Sequence, residues 1–318
     1  MRVDPAIAAL RGDRTPQRRA QATMVAVCDG WRAEARVAPV LDGLEQYGGG
    51  ASLADCPGLA RLFTRGRKAA SFAGRLCAVY SAALAGEPFG QLPFRHNFDG
   101  ALSTLLLARA GAAQLTLTAL EPGEYEAASV AYSDAERHDA VIAGAAQARQ
   151  TERLPDGALC HSPVDLEPGC TLALDLSRQA LCVSRVERRL VALRLHRAAP
   201  APAPMREYAL ADGALLQQAA GDIRHSRHEM MVALLGRMKR REAAPLLAEI
   251  VVEEGADSLR WEALREALAL DTAHGFAALC RVARSPLDPL AAPAGALRGQ
   301  LIEAHPRLRA FEEALCHE

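Results

Sequence analysis

Lysine is almost missing from this chain: Lys68 and Lys239 are its only two. That leaves little material for lysine-dependent covalent catalysis. Aromatic residues make up 4% of 318 residues, and the formal net charge is -1. The usual composition of a nucleic-acid binder, an excess of positive charge interleaved with stacking rings, is therefore absent. No apolar run approaches the roughly 18 residues of a membrane span, so no membrane segment is expected. The first residues carry Arg2, Asp4, Arg11, Asp13 and Arg14 without an apolar stretch between them, which predicts no secretory leader and a cytoplasmic protein. None of the eight cysteines forms a C-x-x-C pair, and small buried thiols in apolar company, such as Cys77, are the expectation. The G-x-S-x-G elbow, the G-x-x-x-x-G-K phosphate loop and the G-x-G-x-x-G fingerprint do not occur.

What is present divides by periodicity, and half the residues are hydrophobic, enough for two or three modules. Residues 1–90 read as helical. One helix is expected over about 16–46, broken near Asp29-Gly30 and ending at Gly48-Gly49-Gly50, a glycine run read as a loose linker. A second is expected from Ser52 or Pro57 to just before Gly86, with Leu62, Phe63, Phe72, Leu76, Val79 and Tyr80 at helical spacing. Residues 91–197 alternate instead. The stretches 114–119, 171–176 and 191–195 have the polar–apolar period of half-buried strands, with shorter runs at 130–132, 140–142 and 181–183. Two Leu-Glu-Pro-Gly corners, ending at Gly123 and Gly169, suit strand-to-strand turns. Short strands without intervening helices predict an antiparallel sandwich or barrel. Residues 198–205 alternate proline and alanine and read as a linker that ends the sheet, and 206–318 reads as helical again. The fold class is thus α+β.

In the last segment, Arg227 to Leu235 can be laid over Arg260 to Leu268, and the helix around Pro245 over that around Gly275. Helix pairs repeated about every 30 residues stack into solenoids. This pattern resembles HEAT repeats. The alignment places Leu235 and Leu268 in equivalent core positions, and Ser226, Ser258 and Asp271 at helix starts. An irregular cap is expected through 311–315. The central segment, with its proline-glycine corners and strand spacing, resembles a cupin-type barrel. It lacks the H-x-H pair through which metal-binding cupins hold their ion, so the resemblance implies a barrel whose usual cage is lost or replaced.

The candidate ligand-binding residues are Arg95, His96, Asp99, His138, His161 and His196. An iron site, or one for another first-row metal, would combine two histidines and a carboxylate. His96 and Asp99 could supply part of it, with His138, Asp139, His161 or His196 completing the set; the favoured expectation is no metal. His196 shares a strand face with Arg194, opposite Val191, Leu193 and Leu195. His225, His228 and Glu229 read as repeat surface, with Glu229 closing a capping box on Ser226. Two functions are consistent with these readings. The first is a non-enzymatic interaction or regulatory scaffold that holds a protein partner on the helical repeats, with no cofactor and with room in the β domain for a small ligand and for a homodimer contact. The alternative is a metal-dependent, cupin-like enzyme of oxygenase type working at the barrel mouth.

Overall fold

A computed structural model describes residues 11–64 and 66–309. The expected cap at 311–315, Cys316 and Arg65 lie outside the described residues. The chain divides into two compact units, residues 1–202 with 206–217, and 203–205 with 218–318. The architecture is α+β, with N-terminal helices, a central antiparallel sheet and C-terminal helices.

Among the described residues, the first unit begins with α1 (Thr15–Ala33), α2 (Ala38–Gly48), α3 (Pro57–Thr64) and α4 (Gly66–Gly86). Proline in the first turn starts α1 and α2, where its missing N–H costs nothing. The break between them falls at Glu34, whose backbone turns extended, and not at Asp29-Gly30. Gly30 stays helical because Cys28 and Trp31 beside it are buried, which offsets a glycine penalty of about 1 kcal/mol. Gly48 is no loose linker either. A Cβ there would lie 2.1 Å from the Ala110 carbonyl oxygen, so glycine permits the end of α2 to touch the sheet.

The sheet contains β1 (Arg95–Phe98), β2 (Leu102–Ala110), β3 (Ala113–Leu120), β9 (Gln179–Ala198), β6 (Ala135–Arg153) and β7 (Leu159–Leu166) in that spatial order. Two short strands join it, β4 (Gly123–Glu124) on β9 and β8 (Thr171–Asp175) on β6. Among the described residues, β1 and β7 end the strand order and do not pair with each other, so the sheet is not the closed barrel that the sequence suggested. Of the two expected corners, Gly169 takes a φ of +97°, whereas Gly123 does not enter the left-handed region and runs straight into β4. The long strands β6 and β9 pair along almost their whole length through irregularities between Val141 and Ala148. Gly144, with a φ of +94°, sits in that bend, and a Cβ there would lie 2.2 Å from the Arg189 carbonyl oxygen.

One face of this sheet packs on the helices. Leu107, Leu115, Ala140, Leu193 and Leu195 join Met24, Trp31, Leu44, Tyr47, Leu59 and Phe72 in a single buried cluster. At about 1.5–3 kcal/mol for each large side chain removed from water, this shared core ties helices α1–α4 to the strands. The proline–alanine segment is free of helix, but the strands do not stop there. β10 (Met205–Ala209) and β11 (Leu215–Ala219) come after it, and β5 (Ser129–Tyr132), β10 and β11 form a three-stranded sheet.

The second unit holds α5 (Ile223–Arg237), α6 (Ala244–Val252), α7 (Asp257–Leu270), α8 (Thr272–Ala283) and α9 (Ala291–Ala304). Val232, Leu247, Val251, Leu264, Phe276 and Leu279 are buried among its core residues. Leu235 and Leu268 are half-buried against that core. Other aligned positions differ in environment. Arg260 is buried and its counterpart Arg227 exposed, and Leu264 is buried where Met231 lies in solvent. Helix pairs are present, but these environments give no support for a HEAT-like register. Asp271 caps α8 through the N–H groups of Ala273 and His274, as expected. Ser226 and Ser258 do not cap: Asp222 accepts from the Arg224 N–H at the start of α5, and the Ser258 hydroxyl donates to Glu229 at 2.6 Å.

Candidate functional site

Strand alternation decides which polar groups meet in the β domain, because directly paired residues share a face. His96 pairs with Leu105, Leu105 with Leu117 and Leu117 with Leu193, so His96 lies on the helix-packed face at the exposed edge strand. His138 lies on that same face, paired with Leu195, four strands from His96 in the sheet order. Its ring centroid lies 6.1 Å from that of Phe63, and burial outweighs the pull of Glu136 and Asp139 to hold it below the ordinary histidine range. Asp99 closes the turn before β2, accepting from the N–H groups of Ala101 at 3.0 Å and Leu102 at 2.8 Å. Those N–H groups, Leu102 first, hold its carboxyl below the usual range. Arg95 is exposed on β1. His161 is exposed on β7, its Nδ1 3.0 Å from the Thr151 hydroxyl. His196 lies on the opposite face from His96 and His138. Among the described residues, no three His, Cys, Asp or Glu side chains gather as a metal set.

The cysteines also depart from expectation. Cys28, Cys56 and Cys280 are buried, but Cys77 and Cys160 are exposed and Cys170 and Cys182 half-buried. All seven are free thiols.

On the helix-packed side, a cleft of about 1000 Å³ opens beside the glycine end of α2, with Glu136, His138, Asp175, Gln179 and Arg197 in its wall. The Tyr47 hydroxyl donates to Glu136 at 2.8 Å. Arg197 donates to the carbonyls of Tyr47 at 2.8 Å and Ala51 at 2.7 Å and to Glu136 at 3.1 Å, its guanidinium 3.8 Å from the Tyr47 ring centroid. Burial and the Glu136 bond raise the tyrosine well above its ordinary range. Burial would raise Glu136 too, but the bonds from Tyr47 and Arg197 outweigh it. The network closes on itself and staples α2 to the sheet.

The opposite face carries different chemistry. Arg137 pairs with His196 and Asp139 with Arg194, so all four side chains share it. Asp139 is buried between the two guanidiniums. Arg137 donates to Oδ2 through Nε at 2.9 Å and also through Nη2. Arg194 donates to Oδ1 through Nε at 2.9 Å and to Oδ2 through Nη2 at 3.3 Å. Burial would raise the Asp139 carboxyl, but Arg194 and then Arg137 outweigh it and hold it at about 2. Burial, then Arg194 and Arg137, push His196 below the ordinary histidine range. Thr116 and Thr118, beside them on β3, spend their hydroxyls on the carbonyls of Arg194 and Ala192. Sequence reading placed Arg194 and His196 together but passed over Arg137. The signal was available in Arg137-His138-Asp139, where two charges two residues apart in a strand must share a face.

No protein-family model matches the chain, and none of the curated proteins matches it. Solved structures are similar to it in part. Momordica charantia 7S globulin is 12% identical, with a TM-score of 0.28 over 36% of this chain and 35% of that one. Vicilin from Capsicum annuum is 18% identical, with a TM-score of 0.29 over 36% and 33%. A cupin-superfamily sugar phosphate isomerase from Silicibacter pomeroyi is 16% identical, with a TM-score of 0.25 over 34% and 65%. The match spans about a third of the length of the first two. At these scores the likeness carries no inference about what the chain does.

Proposed function

We propose that the protein is a non-catalytic interaction protein that docks a partner protein on α5 of its helical unit. The observation that carries this reading is an uncovered apolar stripe: Met230, Met231, Leu234 and Met238 are 62%, 52%, 55% and 51% exposed. Residues 230, 234 and 238 recur every four positions and so lie along one side of the helix or just past its end. Unbranched methionine side chains adapt to many apolar partners, and contiguous exposed apolar surface marks interaction sites. Arg224, Arg227 and His228 line a groove of about 410 Å³ with Met230, Met231 and Leu234. Arg237, Lys239 and Arg241 extend the positive border along the chain. Apolar surface with a cationic rim fits an amphipathic partner segment that carries acidic residues. No helix among the described residues is long and apolar enough to cross a membrane.

The test is photo-cross-linking in cells from position 234, with exposed Glu249 of α6 as the comparison position. A discrete adduct with another protein is expected from 234 and not from 249. Met231→Glu should reduce it at least tenfold, and a synthetic acidic amphipathic peptide should compete for it. Equal adducts from both positions, or adducts only with a second copy of this chain, overturn the reading.

A further inference from the structure

We propose that the sheet face turned away from the helices binds the oxyanion group of a small molecule, a carboxylate or a phosphate, at Arg137 and Arg194. Charge is unbalanced in a confined place on this face, independently of the α5 surface. Two guanidiniums share one carboxylate. Asp139 is 5% exposed at its side chain, Arg137 16% and Arg194 28%. The group therefore carries an uncompensated positive charge where solvent screens it poorly.

The bonding pattern leaves donors for a second acceptor. A guanidinium offers five N–H donors in a fixed fork. The bonds to Asp139 use Nε and Nη2 of both arginines, so Nη1 of each stays outside that pairing. His196, paired with Arg137, adds a ring that burial and the two arginines favour as neutral, able to offer one N–H without adding charge to the group. Arg109 pairs with Gln114, and Gln114 with His196, which sets an exposed third positive group in the same row. It steers anions toward the less exposed pair. Past Val141 the face continues into the apolar cluster of Leu166, Val186 and Leu190, where the rest of an organic acid would find apolar neighbours. A guanidinium fork accepts carboxylate and phosphate alike, so the probes distinguish them.

The experiment follows the arginine Nε–H resonances of the full chain during separate titrations with inorganic phosphate and with acetate. The two resonances are assigned through Arg137→Lys and Arg194→Lys. Expected is a saturable shift of both, for at least one probe, with apparent affinity at least tenfold weaker in Arg194→Gln and unchanged in Arg178→Gln, a surface arginine in the β8–β9 turn. Saturation by phosphate alone assigns a phosphate ligand, and by acetate alone a carboxylate. Shifts that grow linearly with salt for both probes, or equal weakening by Arg178→Gln, overturn the proposal. If Arg194→Gln does not fold, the wild-type titration decides, since it needs no loss-of-charge variant.

Discussion

The two units each bury arginine against aspartate, and they do it differently. In the helical unit Arg260, 7% exposed at its side chain, donates to both carboxylate oxygens of Asp288 and to the Val251 carbonyl. One cation meets one close anion, with Asp257 at 3.8 Å on the exposed side. In the β domain, Asp139 answers two arginines. The first arrangement spends its donors on fixing the end of α6 and the Asp288 turn to α7. The second retains charge and donors after the local bonds are made. A buried ion pair by itself is weak evidence for a site, because desolvation cancels much of its attraction. An imbalance within such a group is the more informative feature.

Breaking each group tests the contrast. Asp139→Asn removes the carboxylate shared by two largely buried guanidiniums and should cost about 3–5 kcal/mol at neutral pH, measured by denaturant unfolding. Inorganic phosphate should recover part of that loss by replacing the missing negative charge. The acid limb should change as well. Asp139 is held at about 2 against an ordinary value of about 3.9, so its ionised form contributes fully above about pH 4. That contribution is lost as pH falls through 2, and the variant should lack this slope. Arg260→Met should cost less, about 3 kcal/mol, because methionine refills some volume and Asp288, 14% exposed, stays within reach of water. Phosphate should not rescue it. Arg227→Ala, at the position aligned with Arg260 but exposed, should stay within about 0.5 kcal/mol. A loss as large as that of Arg260→Met would restore the repeat equivalence that the two environments deny.

Alternation made the strands legible. The stretches at 114–119, 130–132 and 171–176 fall on β3, β5 and β8 to within a residue, and 191–195 lies inside β9. Residues 206–218 were harder, because Tyr208 and Leu210 give too short a pattern to outweigh the helical character of residues 223–304 beyond them. The repeat misled at α5: sequence similarity to α7 hides that its aligned methionine faces solvent. The candidate site was half legible. Isolated histidines attracted attention, yet pairing register separates His96 from His196 onto opposite faces, and register is a long-range property that no local window contains. Arg137 was legible in principle, since its partner Asp139 is two residues away. Its second partner, Arg194, arrives only through the pairing of β6 with β9.

That pairing also sets an order of assembly. At one end Glu152 meets Gln179, enclosing only β7, β8 and their turns; at the other Ala135 meets Ala198 across the whole of both strands. Closing the smaller loop costs less entropy, so zipping is expected to start at the Glu152 end and run toward the Ala135 end. The bulged stretch around Gly144 lies midway, and Asp139 with Arg194 lies beyond it. The charged group is therefore completed late, after most of the zipper has closed. Contacts made after the folding barrier govern how long a folded molecule lasts more than how quickly it forms. Loss of Asp139 is then expected to speed unfolding more than it slows folding.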